Sequence, residues 1–196
     1  RLAIIGGAAI VSAIAVGIVL ALGGGAHLFG FVGDQTTRGL QIEAPVSAVY
    51  MVMAAAGVPG AAVRYDEDLI TFQVTGPGVD AVIAAMTPVL MIGMLAIAVV
   101  GTLKAWRGAG FAALFPPLAG TLGLGFIVLN KVGSPQYLTW IIAPLVAGLV
   151  LRRRDWVRPA GLALLILVLT QLIFPFFYDA ILWLVPTAVG LLVLRN

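Results

Sequence analysis

The sequence predicts an all-α integral membrane protein: a bundle of about six transmembrane helices with one large extracytoplasmic loop that contains a short interfacial helix and a β-hairpin. Composition is the first reason, because 62% of the 196 residues are hydrophobic, 10% are charged and the mean hydropathy is +1.13. A soluble domain of this length cannot bury so much apolar surface. The apolar residues also form runs of roughly 17–25 residues, the length that crosses a bilayer. The basic residues fall between these runs.

The predicted spans share this length and contain few charges. They cover residues 2–22, 79–102, 110–129, 135–151, 158–175 and 180–194. The first run is longer than the roughly 7–15 apolar residues of a secretory signal, so a true span is preferred to a signal peptide. Because the chain begins with Arg1, we expect it to be a piece of a longer protein or a processed product, with residues 1–196 forming a single transmembrane domain.

The basic residues predict the orientation, since Lys and Arg are enriched in cytoplasmic loops. With the first residue inside, the cytoplasmic side holds Arg1, Lys104, Arg107, Arg152, Arg153, Arg154, Arg158 and Arg195. The outer side holds Arg38, Arg64 and Lys131. We therefore predict a multi-pass protein of the plasma membrane, with both ends of the chain inside and the loop 23–78 outside. The basic composition reflects this topology and does not indicate nucleic-acid binding.

Local patterns predict the structure of this loop. Residues 44–57 predict a helix, because apolar side chains recur at helical spacing until Gly57. Residues 60–78 predict a β-hairpin, in which Ile70 and two further apolar residues alternate with polar ones. The sequence "DED" supplies the turn. Turn chemistry is a simpler interpretation of this triplet than cation binding, and no metal site is predicted.

The stretch "NKVGSPQYLTW" (130–140) opens the fourth predicted span on the outer side. Ser134 suits the N-cap of a helix and Pro135 suits its first position, with Lys131 just before them. A helix start presents unpaired N–H groups, and beside a lysine at headgroup depth it has the character of a phosphate site. The alternative is a capped helix with a lysine that extends towards the headgroups. The physical argument leaves both open.

Two sequence elements resemble one family. "NKVGSPQYLTW" resembles the NKV-x-SPQY-xx-W element of actinobacterial polyprenyl-phosphate-mannose-dependent mannosyltransferases, members of the C superfamily of glycosyltransferases. "RGLQIEA" (38–44) is similar to the RGLQ-[IV]-E-S element in the large outer loop of that family. The elements occur in the family's order, and the resemblance covers most of this chain but only the C-terminal part of a typical member. Family members often have a bulkier residue where Gly133 stands and a histidine shortly before the loop arginine.

The resemblance implies a membrane mannosyltransferase of cell-envelope biosynthesis. Mannose would pass from polyprenyl-phosphate mannose to a glycolipid or lipoglycan acceptor on the outer face of the plasma membrane, and no cofactor is implied. The candidates for binding the donor phosphate are Lys131, Ser134, Gln136, Tyr137 and Arg38. Gln41 and Glu43 are candidates for orienting the loop or a sugar hydroxyl.

The family's catalytic base is usually an aspartate in the first outer loop, which we expect to lie upstream of this chain. Asp34, Asp80 and Asp179 do not match its position, so no catalytic residue is predicted and this part alone is expected not to transfer mannose. Two other functions remain as alternatives. A transporter or flippase of lipid-linked sugars would favour paired repeats and polar residues at the bilayer midplane. A non-catalytic membrane scaffold would leave Arg38 and Lys131 replaceable.

Overall fold

The structure, a computed structural model, describes residues 2–28 and 38–196. These residues are mostly helical, with one small two-stranded sheet, and they divide between Arg38 and Gly39 into two compact units. In the first unit, helix α1 covers Leu2–Ala21, as expected for the first apolar run, and a 3₁₀ turn covers Gly24–His27. Part of the predicted outer loop, including Asp34, lies outside the described residues.

The second unit begins with a short helix and a hairpin, which form within the residues predicted for them. A 3₁₀ turn at Pro45–Ser47 leads into helix α2 (Ala48–Ala55), and Gly57 follows with a φ of 71°. Such a positive φ suits glycine and terminates the helix. Strand β1 (Ala62–Asp66) then pairs antiparallel with strand β2 (Thr71–Thr75).

Asp66 organises the turn of this hairpin. One of its carboxylate oxygens accepts the backbone N–H of Leu69 at 3.0 Å, and the other accepts the Gln73 side-chain amide at 2.8 Å. The acidic triplet therefore contributes turn chemistry, as predicted. Ile70, which was expected to share the apolar face of the second strand with Phe72 and Val74, lies in the turn instead, with a φ of 51° and 78% of its surface exposed.

Two long apolar helices follow the hairpin. Helix α3 covers Val79–Trp106 and helix α4 covers Phe111–Leu129, close to the second and third predicted spans. The two helices approach closely at Gly101, where any larger side chain would collide with Leu118. Small residues at such contacts are typical of helices that pack in a membrane.

The next apolar stretch folds back on itself. A 3₁₀ segment at Pro135–Ile141 runs into helix α5 (Ile142–Gln171), which is interrupted at Arg152 by non-helical φ and ψ of −149° and 56°. Ile141 and Ala163 belong to the same buried cluster although they lie on opposite sides of Arg152 in the sequence. The two arms of α5 are therefore antiparallel, in agreement with the separate predicted spans 135–151 and 158–175.

The end of the chain differs from the prediction of a sixth span at residues 180–194. A π-helical segment at Leu172–Phe177 leads into helix α6, which covers only Tyr178–Leu182. After a turn, helix α7 covers Pro186–Arg195. Its 10 residues rise about 15 Å, which is half of the roughly 30 Å hydrocarbon core. Helix α7 is therefore too short to span a bilayer.

Helix α7 instead packs against the loop helix α2. Val189 and Leu192 of α7 share one buried cluster with Tyr50 and Met51 of α2. This cluster is the main core of the unit and also contains Leu40, Ile42, Ala44, Val74, Val79, Ile173, Ile181 and Ala188. The C-terminal residues thus lie on the same side as the large loop, and the prediction that the loop and the end of the chain lie on opposite sides is wrong.

In the described part of the chain, three segments are long and apolar enough to cross a membrane: α3, α4 and the kinked stretch Pro135–Leu182. A hydrocarbon environment explains why these helices expose large apolar side chains along most of their length. The fold is that of a helical membrane protein.

Candidate functional site

The residues after Arg38 form a segment, 39–44, that lies along strand β2 and then turns, with the Ala44 backbone N–H donating to the Gln41 carbonyl at 3.1 Å. The Leu40 carbonyl accepts the backbone N–H of Val74 at 2.9 Å, and the backbone N–H of Ile42 donates to the Phe72 carbonyl at 3.2 Å. The buried side chains of Leu40 and Ile42 enter the main core. This segment therefore meets the edge of the two-stranded hairpin through a single antiparallel bridge, between Gln41 and Gln73.

Gln41 joins the other edge of this segment to the loop 130–134, which follows helix α4. Its backbone N–H donates to the Lys131 carbonyl at 3.0 Å, and its side-chain Oε1 accepts the backbone N–H of Gly133 at 3.1 Å. Gln41 is only 5% exposed. The two elements that carry the family resemblance are therefore in direct contact, although 92 positions separate Gln41 from Gly133.

Two glycines permit this close approach. A Cβ atom at Gly133 would collide with the backbone of Glu43 and Ala44, and a Cβ atom at Gly39 would collide with the side chain of Gln73. A bulkier residue at position 133 would need the loop to move away. The absence of a side chain at Gly133 therefore allows the two segments to lie this close together.

Lys131 is almost fully enclosed at this junction, with 5% of its surface exposed. Burial disfavours the charged ammonium and lowers the pKa of Lys131 from its ordinary value of 10.5. Such enclosure differs from the alternative of a lysine that extends towards the headgroups. A charge held in a poorly solvated place acts more strongly on a nearby anion than a charge in water does.

The predicted helix start is found at the expected residues but with a different local structure. Ser134 has an extended backbone in the N-cap position and Pro135 follows in the first position, but the first two turns are 3₁₀ and the Ser134 side chain makes no capping hydrogen bond. Its carbonyl accepts the backbone N–H of Tyr137 at 3.1 Å. The prediction of a helix start is confirmed, and the prediction of a cap made by the Ser134 hydroxyl is wrong.

The two remaining candidates of this element lie in different surroundings. Gln136 is exposed. The Tyr137 ring stacks on Trp140 with the ring centroids 4.6 Å apart, and it meets Phe126 edge-on at 6.3 Å. The aromatic contacts therefore fix the orientation of the Tyr137 ring at the start of the helix.

Glu43 is held by two residues that the sequence analysis did not assign to the site. The Tyr178 hydroxyl donates to the Glu43 carboxylate at 2.7 Å, and the Arg195 guanidinium donates to the Glu43 carbonyl at 2.8 Å. Burial raises the pKa of Glu43 above its ordinary value of 4.5, and the bond from Tyr178 and the charge of Arg195 oppose that increase. Arg195 was missed because the sequence placed it on the other side of the membrane.

A cavity of about 80 Å³ opens between these residues and the long helices. Its polar lining consists of Glu43, Gly133, Ser134, Arg195 and Asn196. Its apolar lining comes from helix α4 and the α5 region, including Leu124, Ile127, Leu138 and Ile166. Polar groups and hydrocarbon-like side chains thus meet in one small space at this end of the helices.

The other candidates lie elsewhere. Arg38 ends the first unit, and its Nε is buried without a hydrogen-bond partner among the described residues. Asp80 and Asp179 lie in the first turns of α3 and α6, where a negatively charged carboxylate interacts favourably with the positive end of the helix dipole. Neither of these aspartates lines the cavity.

The long apolar helices and the polar junction at one end define the class as helical membrane protein. Comparisons of the chain with protein-family models, curated proteins and solved structures gave no match.

Proposed function

We propose that this chain is the donor-binding part of a membrane glycosyltransferase that transfers mannose from polyprenyl-phosphate mannose to a glycolipid or lipoglycan on the outer face of the plasma membrane. The contact made by Gln41 with Lys131 and Gly133 is the observation that carries this proposal. Two short sequence elements that resemble the motifs of one enzyme family, and that occur in the same order, form a single junction. This is expected if they share one function.

The distribution of charge supports the proposed orientation. Ala113 of α4 lines one cavity with Arg152 and Asp155 of the α5 kink, so the α3–α4 connection and the kink lie at the same end of the helices. Basic residues of the second unit concentrate at that end: Lys104, Arg107, Arg152, Arg153, Arg154 and Arg158. The junction end has Arg64, Lys131 and Arg195. The more basic end belongs in the cytoplasm, which leaves the junction outside.

In the proposed reaction, the bond between mannose and the donor phosphate breaks and negative charge grows on that phosphate. Fixed positive charges and donors around a leaving group lower the barrier to its departure. Lys131 supplies the charge, and Ser134, Gln136 and Tyr137 supply donors at the start of the helical stretch. The apolar side chains of α4 and α5 below them would receive the lipid part of the donor.

The remaining residues hold this arrangement in place. Gln41 fixes the loop that carries Lys131, and Glu43 is bound by Tyr178 and Arg195. These are positioning roles, in line with the expectation that Gln41 and Glu43 orient the loop. Arg38, which belongs to the first unit, remains a candidate phosphate ligand through the family resemblance alone.

The proposal is tested by mannose transfer from polyprenyl-phosphate mannose in membranes that contain the full-length protein. Lys131→Met keeps most of the side-chain volume and removes the charge, and Arg38→Ala removes the second cation. We expect each variant to lower kcat at least tenfold, because each removes charge stabilisation of the leaving phosphate. Lys104→Met, at the opposite end of the helices, is the matched control and should transfer mannose at the wild-type rate.

Thermal unfolding of each variant separates loss of function from loss of structure. Wild-type transfer by both Lys131→Met and Arg38→Ala would refute the assignment of the donor-phosphate site to these residues. Absence of transfer by the wild-type full-length protein, with movement of lipid-linked sugar across vesicles instead, would favour the flippase alternative.

A further inference from the structure

A second, larger apolar space lies at the end of the helices that carries the α5 kink. It is a groove of about 580 Å³ between helix α4 and the two arms of α5. Most of its lining is apolar and includes Pro117, Leu124, Ile141, Leu145 and Leu162. The groove adjoins the small cavity at Glu43, with which it shares Leu124 and Ile166, and the small cavity continues towards the other end of α4.

The groove has the depth of one membrane leaflet. Along helix α4 its lining extends from Ala113 to Leu124. At a rise of about 1.5 Å per residue this distance is about 16 Å, or about half of the roughly 30 Å hydrocarbon core. The groove therefore begins at one membrane face and ends near the midplane, as a single lipid chain does.

The shallow end of the groove carries charge and an interfacial aromatic ring. Arg152 and Asp155 line this end and form a salt bridge at 2.7 Å. The Trp156 ring lines the groove one position further on, and tryptophan favours the level of the lipid headgroups. Arg153, Arg154 and Arg158 are exposed beside them. Four arginines against one aspartate leave a net positive charge at this end.

We propose that this groove binds one acyl chain of an anionic phospholipid of the inner leaflet, with the headgroup phosphate at the arginines of the α5 kink. The apolar groove, which has the depth of one leaflet, matches the acyl chain of such a lipid. The basic shallow end of the groove matches its anionic headgroup. Basic pockets between helices on the cytoplasmic side are suited to anionic headgroups. The assignment to the inner leaflet rests on the proposed orientation, whereas the lipid site itself does not depend on glycosyl transfer.

Quenching of Trp156 fluorescence by brominated lipids tests the proposal. In the full chain, three of the four tryptophans are replaced by phenylalanine, which leaves Trp156 as the single reporter. The protein is placed in phosphatidylcholine vesicles that contain equal fractions of either brominated phosphatidylglycerol or brominated phosphatidylcholine. We expect phosphatidylglycerol to quench Trp156 several-fold more effectively, and unlabelled phosphatidylglycerol to compete with it.

Two variants address the two parts of the site. Gly120→Leu fills the groove, since a Cβ atom at Gly120 would face Trp156 and Pro144 at ordinary contact distances, and we expect quenching by both lipids to fall. Arg152→Gln should reduce the excess of quenching by phosphatidylglycerol over phosphatidylcholine. The matched controls are Gly161→Leu, at an open position of α5 outside the groove, and Arg107→Gln, outside the groove lining.

Equal quenching of the wild type by both lipids would overturn the proposal. So would an undiminished excess of phosphatidylglycerol quenching in Arg152→Gln, a measurement that does not depend on how well Gly120→Leu folds. Protection of wild-type Trp156 from both lipids would mean that protein, such as a second copy of the chain, occupies the groove. Mannose transfer is not part of this readout, so the result is independent of the proposed enzyme activity.

Discussion

The backbone N–H of Gly133 donates to the side-chain Oε1 of Gln41 at 3.1 Å. This bond joins the segment 39–44 to the loop after helix α4. A second bond, from the Gln41 backbone to the Lys131 carbonyl, lies beside it. Because Gln41 is buried, water cannot easily reach these two hydrogen bonds. If one donor or acceptor is removed, its former partner therefore stays without a hydrogen bond. The position of Lys131 therefore depends on a residue from a different part of the chain.

Replacement of Gln41 by leucine tests this dependence. Gln41→Leu keeps the approximate size of the side chain but replaces the polar amide with an apolar group. It therefore leaves the Gly133 N–H without its acceptor. We expect the free energy of unfolding to fall by about 1–3 kcal/mol, the cost of a buried polar group that loses its partner. Denaturant unfolding in detergent measures the change. Gln136→Leu is the matched control, because Gln136 is exposed, and its effect should stay within about 0.5 kcal/mol.

Gly133 should tolerate no side chain. In Gly133→Ala the new methyl group meets the backbone of Glu43 and Ala44, so the two segments must separate. We expect a loss of about 1–3 kcal/mol in the free energy of unfolding, as for other overpacked sites. Gly161→Ala serves as the control because its Cβ position is open and lies within helix α5. That change should stabilise the protein by about 0.5–1 kcal/mol. Unfolding effects of the same sign in both variants would contradict the prediction.

The stability of the protein should depend on the ionisation of Glu43. Burial raises the pKa of Glu43 above 4.5, so between the unfolded and folded pKa values the folded protein retains a proton that the unfolded chain has released. The free energy of unfolding then decreases as pH rises through this window. Glu43→Gln removes the titration and keeps an acceptor for the Tyr178 hydroxyl.

We therefore expect Glu43→Gln to be more stable than the wild type above the folded pKa of Glu43, and the gain to disappear as the pH falls to 4.5. Unfolding curves at a series of pH values measure this difference. Glu67→Gln, in the exposed hairpin turn, is the matched control for the exchange of a carboxylate for an amide at the surface. A constant difference between Glu43→Gln and the wild type at all pH values would exclude the proposed titration.

The contact between Arg195 and Glu43 predicts that the end of helix α7 and the large loop lie on one side of the membrane. The chain contains no cysteine, so single cysteines can report their own exposure. In intact cells, a membrane-impermeant maleimide should label both Glu67→Cys and Asn196→Cys. Arg153→Cys, at the α5 kink, should react only after permeabilisation. Protection of Asn196→Cys together with labelling of Glu67→Cys would restore the six-span topology.

Local patterns in the sequence were sufficient for most of the secondary structure. The long apolar runs became α1, α3, α4 and the arms of α5, because a backbone in hydrocarbon must satisfy its own hydrogen bonds and a helix does so within one segment. The hairpin and helix α2 followed from turn residues and from the spacing of apolar side chains, which also act over a few positions.

The sequence by itself therefore determined a helical membrane protein with a structured loop and a basic end, and it singled out the two short elements that meet in the structure. Only the tertiary structure decided that Gln41 contacts Gly133, that Lys131 is enclosed and that Arg195 lies with the loop. The physical reason is that apolar composition sets whether a segment prefers lipid, whereas its partner is set by packing between distant segments. Helix α7 shows the difference: its residues are apolar enough for a span, but they are buried against α2 in the protein core.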